Sequence, residues 1–264
     1  MTTRPASPPG NAGPGLEGTT GAQVGGVGFT YPARSRKSSP LHAVDDVTFS
    51  VAEHEIVALV GPSGCGKTTL LELVCGLQAP DSGSVTAAPA VLMPQRDLLL
   101  PWLDALDNAA LALRIHGAGR DEARERAQPL FTAFGLEGFE HSRPDELSGG
   151  MRQRVAFLRT LLSGKPLLCL DEPFGALDAI TRAEMRDWLA GALAGEPRTT
   201  LLVTHDVEEA AVLADRIVVL SPRPASVQAV IDVPLPRPRT VTDPALVAIR
   251  ERALEALRAC SRPC

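Results

Sequence analysis

Two kinds of apolar pattern occupy neighbouring stretches early in the chain. Val44, Val47, Phe49 and Val51 alternate loosely with polar residues, which predicts a half-exposed antiparallel strand. Residues 56–60 are apolar without interruption, as is typical of a strand that is buried on both faces. The pattern therefore predicts an exposed antiparallel sheet next to a buried parallel one.

Helices are predicted between the later buried strands. Apolar residues recur at helical spacing from Lys67, so a helix follows the buried strand after a glycine-rich loop. Further predicted elements are parallel strands at residues 167–170, 201–203 and 217–220 and helices at residues 103–135 and 145–162. The expected fold class is α/β, with a parallel sheet, an antiparallel β subdomain and an inserted helical subdomain.

The two ends of the chain differ from its middle. Residues 1–25 contain four Pro and six Gly with almost no large apolar side chain, which predicts a disordered arm. Residues 26–240 are expected to form the main domain, in which the helical subdomain occupies about 96–162. Apolar positions on one helical face predict a C-terminal helical tail over residues 241–264.

Composition narrows the class of protein. The 264 residues are 44% hydrophobic and 22% charged, as in ordinary globular domains. The net charge of −5 supplies no broad basic face, so no nucleic-acid partner is expected. No apolar run approaches a membrane span, and no signal peptide is evident at the N-terminus. The five cysteines include no C-x-x-C pair, which favours a reducing cytosol over a disulfide framework or a zinc site.

A phosphate-binding motif lies between the first buried strand and its helix. Residues 61–68 read Gly-Pro-Ser-Gly-Cys-Gly-Lys-Thr and fit the pattern G-x-x-x-x-G-K-[ST], which predicts a P-loop NTPase core. Lys67 is placed to meet the β- and γ-phosphates and Thr68 to bind Mg²⁺, while the helix N-terminus is expected to lower the pKa of Cys65. The expected nucleotide-binding residues here are Gly61, Pro62, Ser63, Gly64, Cys65, Gly66, Lys67, Thr68 and Thr69.

Two adjacent carboxylates end the strand predicted at residues 167–170. By itself, an Asp-Glu pair in this position is more often a turn or a helix cap. The phosphate loop upstream favours a second interpretation, in which Asp171 holds Mg²⁺ and Glu172 points toward a water near the γ-phosphate.

A second glycine-containing turn precedes a helical pattern. Residues 147–153 read Leu-Ser-Gly-Gly-Met-Arg-Gln, and the simplest interpretation is a helix that Ser148 caps. The alternative is a second anion site, which would give one chain two phosphate-binding ends. A symmetric dimer resolves this, because each copy could offer its Ser148 turn to the nucleotide of the other.

Together these motifs resemble those of ATP-binding subunits of ABC transporters, whose signature is Leu-Ser-Gly-Gly-x-x-Gln. The resemblance covers roughly residues 25–235. It implies ATP hydrolysis with Mg²⁺ in a head-to-tail dimer, and a catalytic role for Lys67 and Glu172. It also implies that Ser148, Gly149, Gly150 and Gln153 contact the nucleotide of the partner.

The resemblance implies roles for four further residues. Gln95 matches a glutamine that senses Mg²⁺ and the attacking water, although such a residue is equally a surface glutamine beside a proline turn. His205 matches a switch histidine that contacts the γ-phosphate and Glu172; a lone histidine after a strand is more often structural. Asp178 matches a loop that links the two sites, and Tyr31 an aromatic that stacks on adenine or, alternatively, a partly exposed edge residue.

Candidate partners come from an apolar patch and from the tail. Residues 97–103 read Asp-Leu-Leu-Leu-Pro-Trp-Leu, which is either a groove for a permease helix or ordinary packing of the helical subdomain. This patch, the Leu-Ser-Pro-Arg-Pro run at residues 220–224 and the Pro-Arg segment at residues 232–239 are similar to the nitrate, sulfonate and taurine branch of ABC importers. They are also similar to relatives that handle thiamine precursors. The implied partners are a second copy, a membrane permease and, indirectly, a solute-binding protein, with the chain peripheral at the cytoplasmic face.

Two other classes of protein remain open at this point. One is a soluble ABC-type ATPase acting on DNA, ribosomes or another non-membrane partner, which the acidic balance and the single cassette disfavour. The other is a non-enzymatic binding module in which Glu172 and His205 are idle. Co-purification with a membrane protein would distinguish a transporter subunit from the soluble ATPase. An ATPase assay would distinguish it from the non-enzymatic binding module.

Overall fold

The computed structural model describes residues 20–33, 39–175, 177–195 and 197–260. Most of the segment predicted as a disordered arm lies outside these residues. The prediction is wrong for residues 20–25, which belong to strand β1 (Thr20–Tyr31). Their apolar members Ala22 and Val24 are buried, so packing against neighbouring strands orders this glycine-rich stretch.

An antiparallel sheet of three strands forms one layer. Its strands are β1, β2 (Leu41–Ala52) and β4 (Ser82–Ala87), in the order β2-β1-β4. The alternation predicted from Val44 to Val51 is confirmed, because its four large apolar residues are buried while Asp45, Asp46 and Thr48 between them are exposed.

A six-stranded sheet forms the centre of the molecule. In the order β5-β6-β7-β3-β8-β9, its strands are Ala90–Met93, Leu167–Asp171, Thr199–Thr204, Ile56–Val60, Arg216–Leu220 and Val227–Asp232. The first five strands are parallel, and β9 pairs antiparallel with β8 at the edge. The predicted buried parallel strands are therefore confirmed.

Two apolar cores lie on opposite faces of this central sheet. Val57 and Leu59 of β3 pack toward the antiparallel sheet and helix α1 (Lys67–Val74). The intervening residues Ile56, Ala58 and Val60 pack into the larger core on the helical side. Burial on both faces explains why β3 is apolar without interruption.

The remaining helices lie on the other side of the sheet. They are α2 (Ala105–Ala109), α3 (Leu111–Ile115), α4 (Arg120–Ala133), α5 (Gly149–Leu161), α6 (Ala179–Gly195), α7 (Val207–Leu213) and α8 (Pro244–Cys260), with a short 3-10 helix at Pro144–Glu146. Of these, α5, α7 and α8 contact the strands of the sheet, while α2 to α4 pack against α5 and each other. The helices predicted within residues 103–135 and 145–162 are confirmed as α2 to α5. Among the described residues, no helix has both the length and the apolar character needed to cross a lipid bilayer.

The C-terminal tail is anchored on α7. Leu246, Ile249 and Ala253 of α8 are buried on the helical face that the sequence predicted. Before α8, the buried Arg239 guanidinium donates to backbone carbonyls near the C-terminus of α7, including Ala211 O at 3.0 Å. A cation in this position complements the negative end of the helix.

Candidate functional site

The phosphate loop connects β3 to α1 and turns its backbone around the helix N-terminus. Gly66 is the N-cap residue of α1 and has φ 125°, a conformation that side chains disfavour. A Cβ atom at this position would lie 2.7 Å from the carbonyl oxygen of Ala43. Only glycine therefore fits, and the loop leaves the amides of the α1 N-terminus available for an anion.

Lys67 is held within the loop. Its ammonium group is buried and donates to the carbonyl oxygens of Gly61 at 2.8 Å and Pro62 at 3.1 Å. It also lies 3.8 Å from Oε1 of Glu172. A cation is thus fixed at the point where the loop would hold phosphate charge.

Thr68, in the first turn of α1, and Asp171, at the end of β6, provide two oxygen atoms that could bind a metal ion. The Thr68 hydroxyl donates to Oδ2 of Asp171 at 2.9 Å. Burial raises the pKa of the Asp171 carboxyl, and the hydrogen bond from Thr68 partly opposes that rise. A hydroxyl and a carboxylate beside a phosphate loop are hard oxygen ligands, so this donor set fits Mg²⁺.

Glu172 is the meeting point of three segments. Its amide donates to Val203 O at 2.8 Å, and its φ of 43° places the residue in the left-handed region. The carboxylate oxygen Oε2 accepts from Nε2 of Gln95 at 3.2 Å and lies 3.2 Å from Nδ1 of His205. The structure therefore brings Gln95, Glu172 and His205 together, and the contact between His205 and Glu172 is one that the family resemblance implied.

A cavity of about 350 Å³ opens beside the phosphate loop. It is lined by Tyr31, Leu41, Ala43, Ser63, Gly64, Gly66, Lys67, Thr68, Thr69, Gln95, Asp171, Glu172 and Arg223. Sequence reasoning missed Arg223, which lies after the C-terminal end of β8. Its position just after a predicted parallel strand could have indicated the site, because ligands of open α/β sheets bind at the carboxyl ends of the strands.

Tyr31 lies at this cavity and is tied to α1. Its hydroxyl lies 3.0 Å from Oγ1 of Thr69 and donates to Oε2 of Glu72 at 3.1 Å. Its ring packs edge-on against Phe29, with centroids 4.9 Å apart. The aromatic face is thereby fixed next to the phosphate loop.

Cys65 does not behave as the sequence analysis expected. Its side chain is buried in the core between the two sheets and is absent from the cavity lining. Burial raises the pKa of its thiol, and this effect exceeds the opposing influence of Lys67. The expected lowering of the pKa is wrong because the thiol is buried, which disfavours its charged form.

The Ser148 turn does not contribute to the lining of the phosphate-loop cavity. Ser148 is the exposed N-cap residue of α5, and its hydroxyl accepts from the amide of Met151 at 3.2 Å. Gly149 and Gly150 open the helix, and a Cβ atom on Gly150 would lie 3.0 Å from Cγ2 of Thr181. Neither the serine nor the glycines line the phosphate-loop cavity of their own chain.

Two other predicted residues make local structural contacts. Gln153 is buried, and its amide nitrogen donates to Pro173 O, which connects α5 to the segment after Glu172. Asp178 caps α6, because its carboxylate accepts from the amides of Ile180 and Thr181 at 3.1 Å each. Hydrogen bonds from Thr181 hold the pKa of Asp178 below its usual range.

A second cavity, of about 370 Å³, adjoins the first through Gln95. Its lining includes Asp97 and Arg152, whose side chains form an ion pair at 3.1 Å between the loop after β5 and α5. Leu98 and Trp102 beside it are 52% and 66% exposed. The apolar patch of residues 97–103 is thus partly open to solvent next to Gln95.

Comparisons with known proteins agree with this geometry. A family model described as "ABC transporter" matches residues 44–175. The chain is 46% identical over 201 residues to the formylaminopyrimidine import ATP-binding protein ThiZ of Halalkalibacterium halodurans, covering 75% of this chain and 78% of that protein. It is 43% identical over 244 residues to the aliphatic sulfonates import ATP-binding protein SsuB 1 of Rhodococcus jostii, covering 90% and 93%. Taurine and nitrate import ATP-binding proteins also match.

A solved structure has the same fold. The ATP-binding cassette MJ0796, described as a dimer in a post-hydrolysis state bound to ADP and Pi, superposes with a TM-score of 0.69 at 28% identity. The match covers 80% of this chain and 98% of that one.

Proposed function

The chain belongs to the ABC transporter family of ATP-binding subunits, and on that premise we propose that it drives solute import by hydrolysing ATP in a head-to-tail dimer. It is an ATP-binding ATPase whose activity is coupled to transport. One observation carries the proposal: Lys67, Gln95 and Glu172 converge on the phosphate-loop cavity. Asp171 and His205 complete the group from neighbouring strand ends.

Each residue has a distinct task in the proposed reaction, ATP + H₂O → ADP + phosphate. The loop amides and Lys67 bind the phosphates, and Tyr31 stacks on the adenine. Gln95 and His205 position the attacking water against the γ-phosphate, and Glu172 accepts its proton. Because phosphoryl transfer requires little covalent chemistry from the protein, positioning and charge neutralisation supply most of the barrier lowering.

The Mg²⁺ site is assigned to Thr68 and Asp171, with Gln95 nearby. A bound Mg²⁺ would neutralise phosphate charge as it develops. The exposed Thr68 hydroxyl and the buried Asp171 carboxylate support this assignment, because both are oxygen ligands that line the phosphate-loop cavity and are hydrogen-bonded to each other.

The complete site is proposed to require two copies. Ser148 is exposed and absent from the cavity of its own chain, so its turn is available to a partner. The similar cassette MJ0796 is described as dimeric with ADP and Pi. In this arrangement Ser148, Gly149 and Gly150 contact the nucleotide of the partner, while Gln153 holds α5 against the Glu172 segment and Asp178 supports the loop between the two sites.

The second partner is a membrane permease that contacts the open patch at Leu98 and Trp102. Gln95 lines both the nucleotide cavity and the cavity beside this patch, so it is the residue through which we expect movement at one to reach the other. The chain is then a peripheral subunit at the cytoplasmic face of the membrane. Its relatives are named for formylaminopyrimidine, aliphatic sulfonate, taurine and nitrate import, and we assign a small solute of this range.

Glu172→Gln tests the proposed chemistry. The amide cannot accept the proton of the water, so ATP turnover should fall by about 10²-fold or more while ATP still binds. The measurement is steady-state phosphate release together with nucleotide titration. Glu184→Gln, on the exposed face of α6, is the control and should keep the wild-type rate. Near-normal turnover by Glu172→Gln would overturn the assignment.

A further inference from the structure

One buried carboxyl has no task in the mechanism above. Glu209 of α7 is 5% exposed, and its Oε2 accepts from the Thr204 hydroxyl at 2.5 Å. The same hydroxyl accepts from the amide of Asp206 at 3.0 Å. Thr204 and Asp206 are the residues immediately before and after His205. Through these two hydrogen bonds Glu209 holds Thr204 directly and Asp206 indirectly, and so fixes the turn that carries His205.

The other carboxylate oxygen of Glu209 faces α6. Oε1 lies 3.9 Å from Nε of Arg182, a buried nitrogen that has no hydrogen-bond partner within the described part of the chain. Arg182 also donates from Nη2 to Leu177 O at 3.0 Å, and its amide donates to Asp178 O at 2.8 Å. Arg182 is thereby joined to residues 177–178, the segment assigned to the dimer interface.

The charges around Glu209 are only partly balanced. The pKa of its carboxyl is raised to about 7, chiefly by burial and to a lesser extent by Asp206, while Arg182 and His205 oppose the rise. The Thr204 hydroxyl also favours the charged form. A buried carboxyl is a costly way to stabilise a fold, since apolar residues of similar volume are often as good or better. Its cost favours a positioning role over a purely structural one.

We propose that Glu209 is a positioning residue that connects the His205 turn, through Thr204 and Arg182, to the segment at residues 177–178. His205 is then held against Glu172 only while that segment is in place, which links hydrolysis at one site to the state of the dimer interface. This inference rests on the proposed function, which gives His205 and Glu172 their roles in ATP hydrolysis.

Glu209→Gln tests the connection because glutamine keeps the size and an acceptor for Thr204 but loses the charge that faces Arg182. Steady-state ATPase at pH 8 should show kcat about tenfold lower, with KM for ATP within about twofold and no loss of thermal stability. The matched control is Glu208→Gln. The Glu208 carboxylate pairs instead with Arg186 at 2.8 Å and Arg250 at 3.1 Å, so its kcat should stay within about twofold of wild type.

Measuring kcat as a function of pH distinguishes a positioning role of Glu209 from a purely structural one. The ratio of wild-type to Glu209→Gln kcat should rise between pH 6 and pH 8.5, because the carboxyl becomes charged across a pKa of about 7 whereas the amide does not. A purely structural role predicts a ratio that does not change with pH.

Substitutions of Thr204 provide an independent arm. Thr204→Val removes the connecting hydroxyl at constant size and should lower kcat as Glu209→Gln does, whereas Thr204→Ser should retain activity. Wild-type kcat in Glu209→Gln, or a ratio that is flat with pH, would overturn the inference. An inactive wild-type protein would instead overturn the proposed function, so the two failures are distinguishable.

Discussion

At the scale of single residues, Glu172 has the most demanding environment in the site. It holds a positive φ while its carboxylate meets Lys67, Gln95 and His205. A left-handed conformation in a non-glycine residue is disfavoured by roughly 1–2 kcal/mol. The hydrogen bond from its amide to Val203 O stabilises this geometry, so the central sheet itself aims the carboxylate.

Tyr31 offers a test of the adenine site. Tyr31→Ala removes the aromatic face and should weaken ATP binding about tenfold. Tyr31→Phe keeps the face but loses the hydroxyl contacts with Thr69 and Glu72, so a loss of about two- to fivefold is expected. Calorimetric titration with ATP measures both. Inorganic tripolyphosphate, which has no base, should bind all three proteins equally; unchanged ATP affinity in Tyr31→Ala would contradict the stacking role.

Sequence motifs predicted the backbone of the site better than the direction of its side chains. The phosphate loop is a local conformation that glycines dictate, so Gly66 and Lys67 lie where the motif requires. The directions of Cys65 and Gln153 depend on long-range packing, which puts Cys65 in the core and Gln153 against Pro173. The position of Arg223 likewise depends on how the loop after β8 folds back.

At the scale of elements, helix α7 connects the turn at His205 to the segment that leads into the C-terminal tail. Asp206 caps its N-terminus by accepting from the amides of Glu208 and Glu209. At the other end, Arg239 donates to the carbonyls of Ala211 and Val212. Burial lowers the pKa of Arg239 to about 10, so its guanidinium is still charged at neutral pH.

Arg239→Ala tests whether the segment before α8 stabilises α7. It should lower the free energy of unfolding by about 2–4 kcal/mol, because helix carbonyls lose a charged donor in a buried position. Urea denaturation followed by circular dichroism measures the change. Arg258→Ala, at an exposed position near the end of α8, is the control and should change stability little. Equal stabilities for the two variants would contradict a role for this contact.

Strongly patterned elements were predictable, whereas elements that depend on pairing were not. The uninterrupted run of β3 and the spacing of α1 carry their own signals. β1 is glycine-rich and bulged, with Gly26 at φ 58°, and its order comes from pairing with both β2 and β4. The sequence analysis also did not predict the short edge strand β5, because four residues carry too little pattern.

At the scale of the whole molecule, Gln95 lies between the nucleotide cavity and the surface proposed to contact the permease. It lines the nucleotide cavity and also the cavity beside the open patch at Leu98 and Trp102. ATP-dependent closure of two copies would move both surfaces together, and a permease on the patch would receive that movement.

The patch can be tested separately from hydrolysis. A double substitution, Leu98→Ser with Trp102→Ser, should reduce co-purification with the permease at least about tenfold, since it removes a tryptophan, the residue type most enriched among energetically dominant contacts, and the apolar side chain of Leu98. The ATPase rate of the isolated protein should remain within about twofold. Ile115→Ser, another exposed apolar position at 74%, should leave co-purification unchanged. Undiminished co-purification of the double variant would refute the docking role.

The central claim is that a complete ATP site is made from two chains, and sedimentation velocity tests it most directly. With saturating ATP and Mg²⁺, Glu172→Gln should sediment as a dimer, because it binds ATP without hydrolysing it. The double variant Glu172→Gln with Ser148→Arg should bind ATP yet remain monomeric, since the added side chain blocks the turn that the partner needs. Equal dimerisation of the two proteins, or a monomeric Glu172→Gln at saturating ATP, would contradict the account.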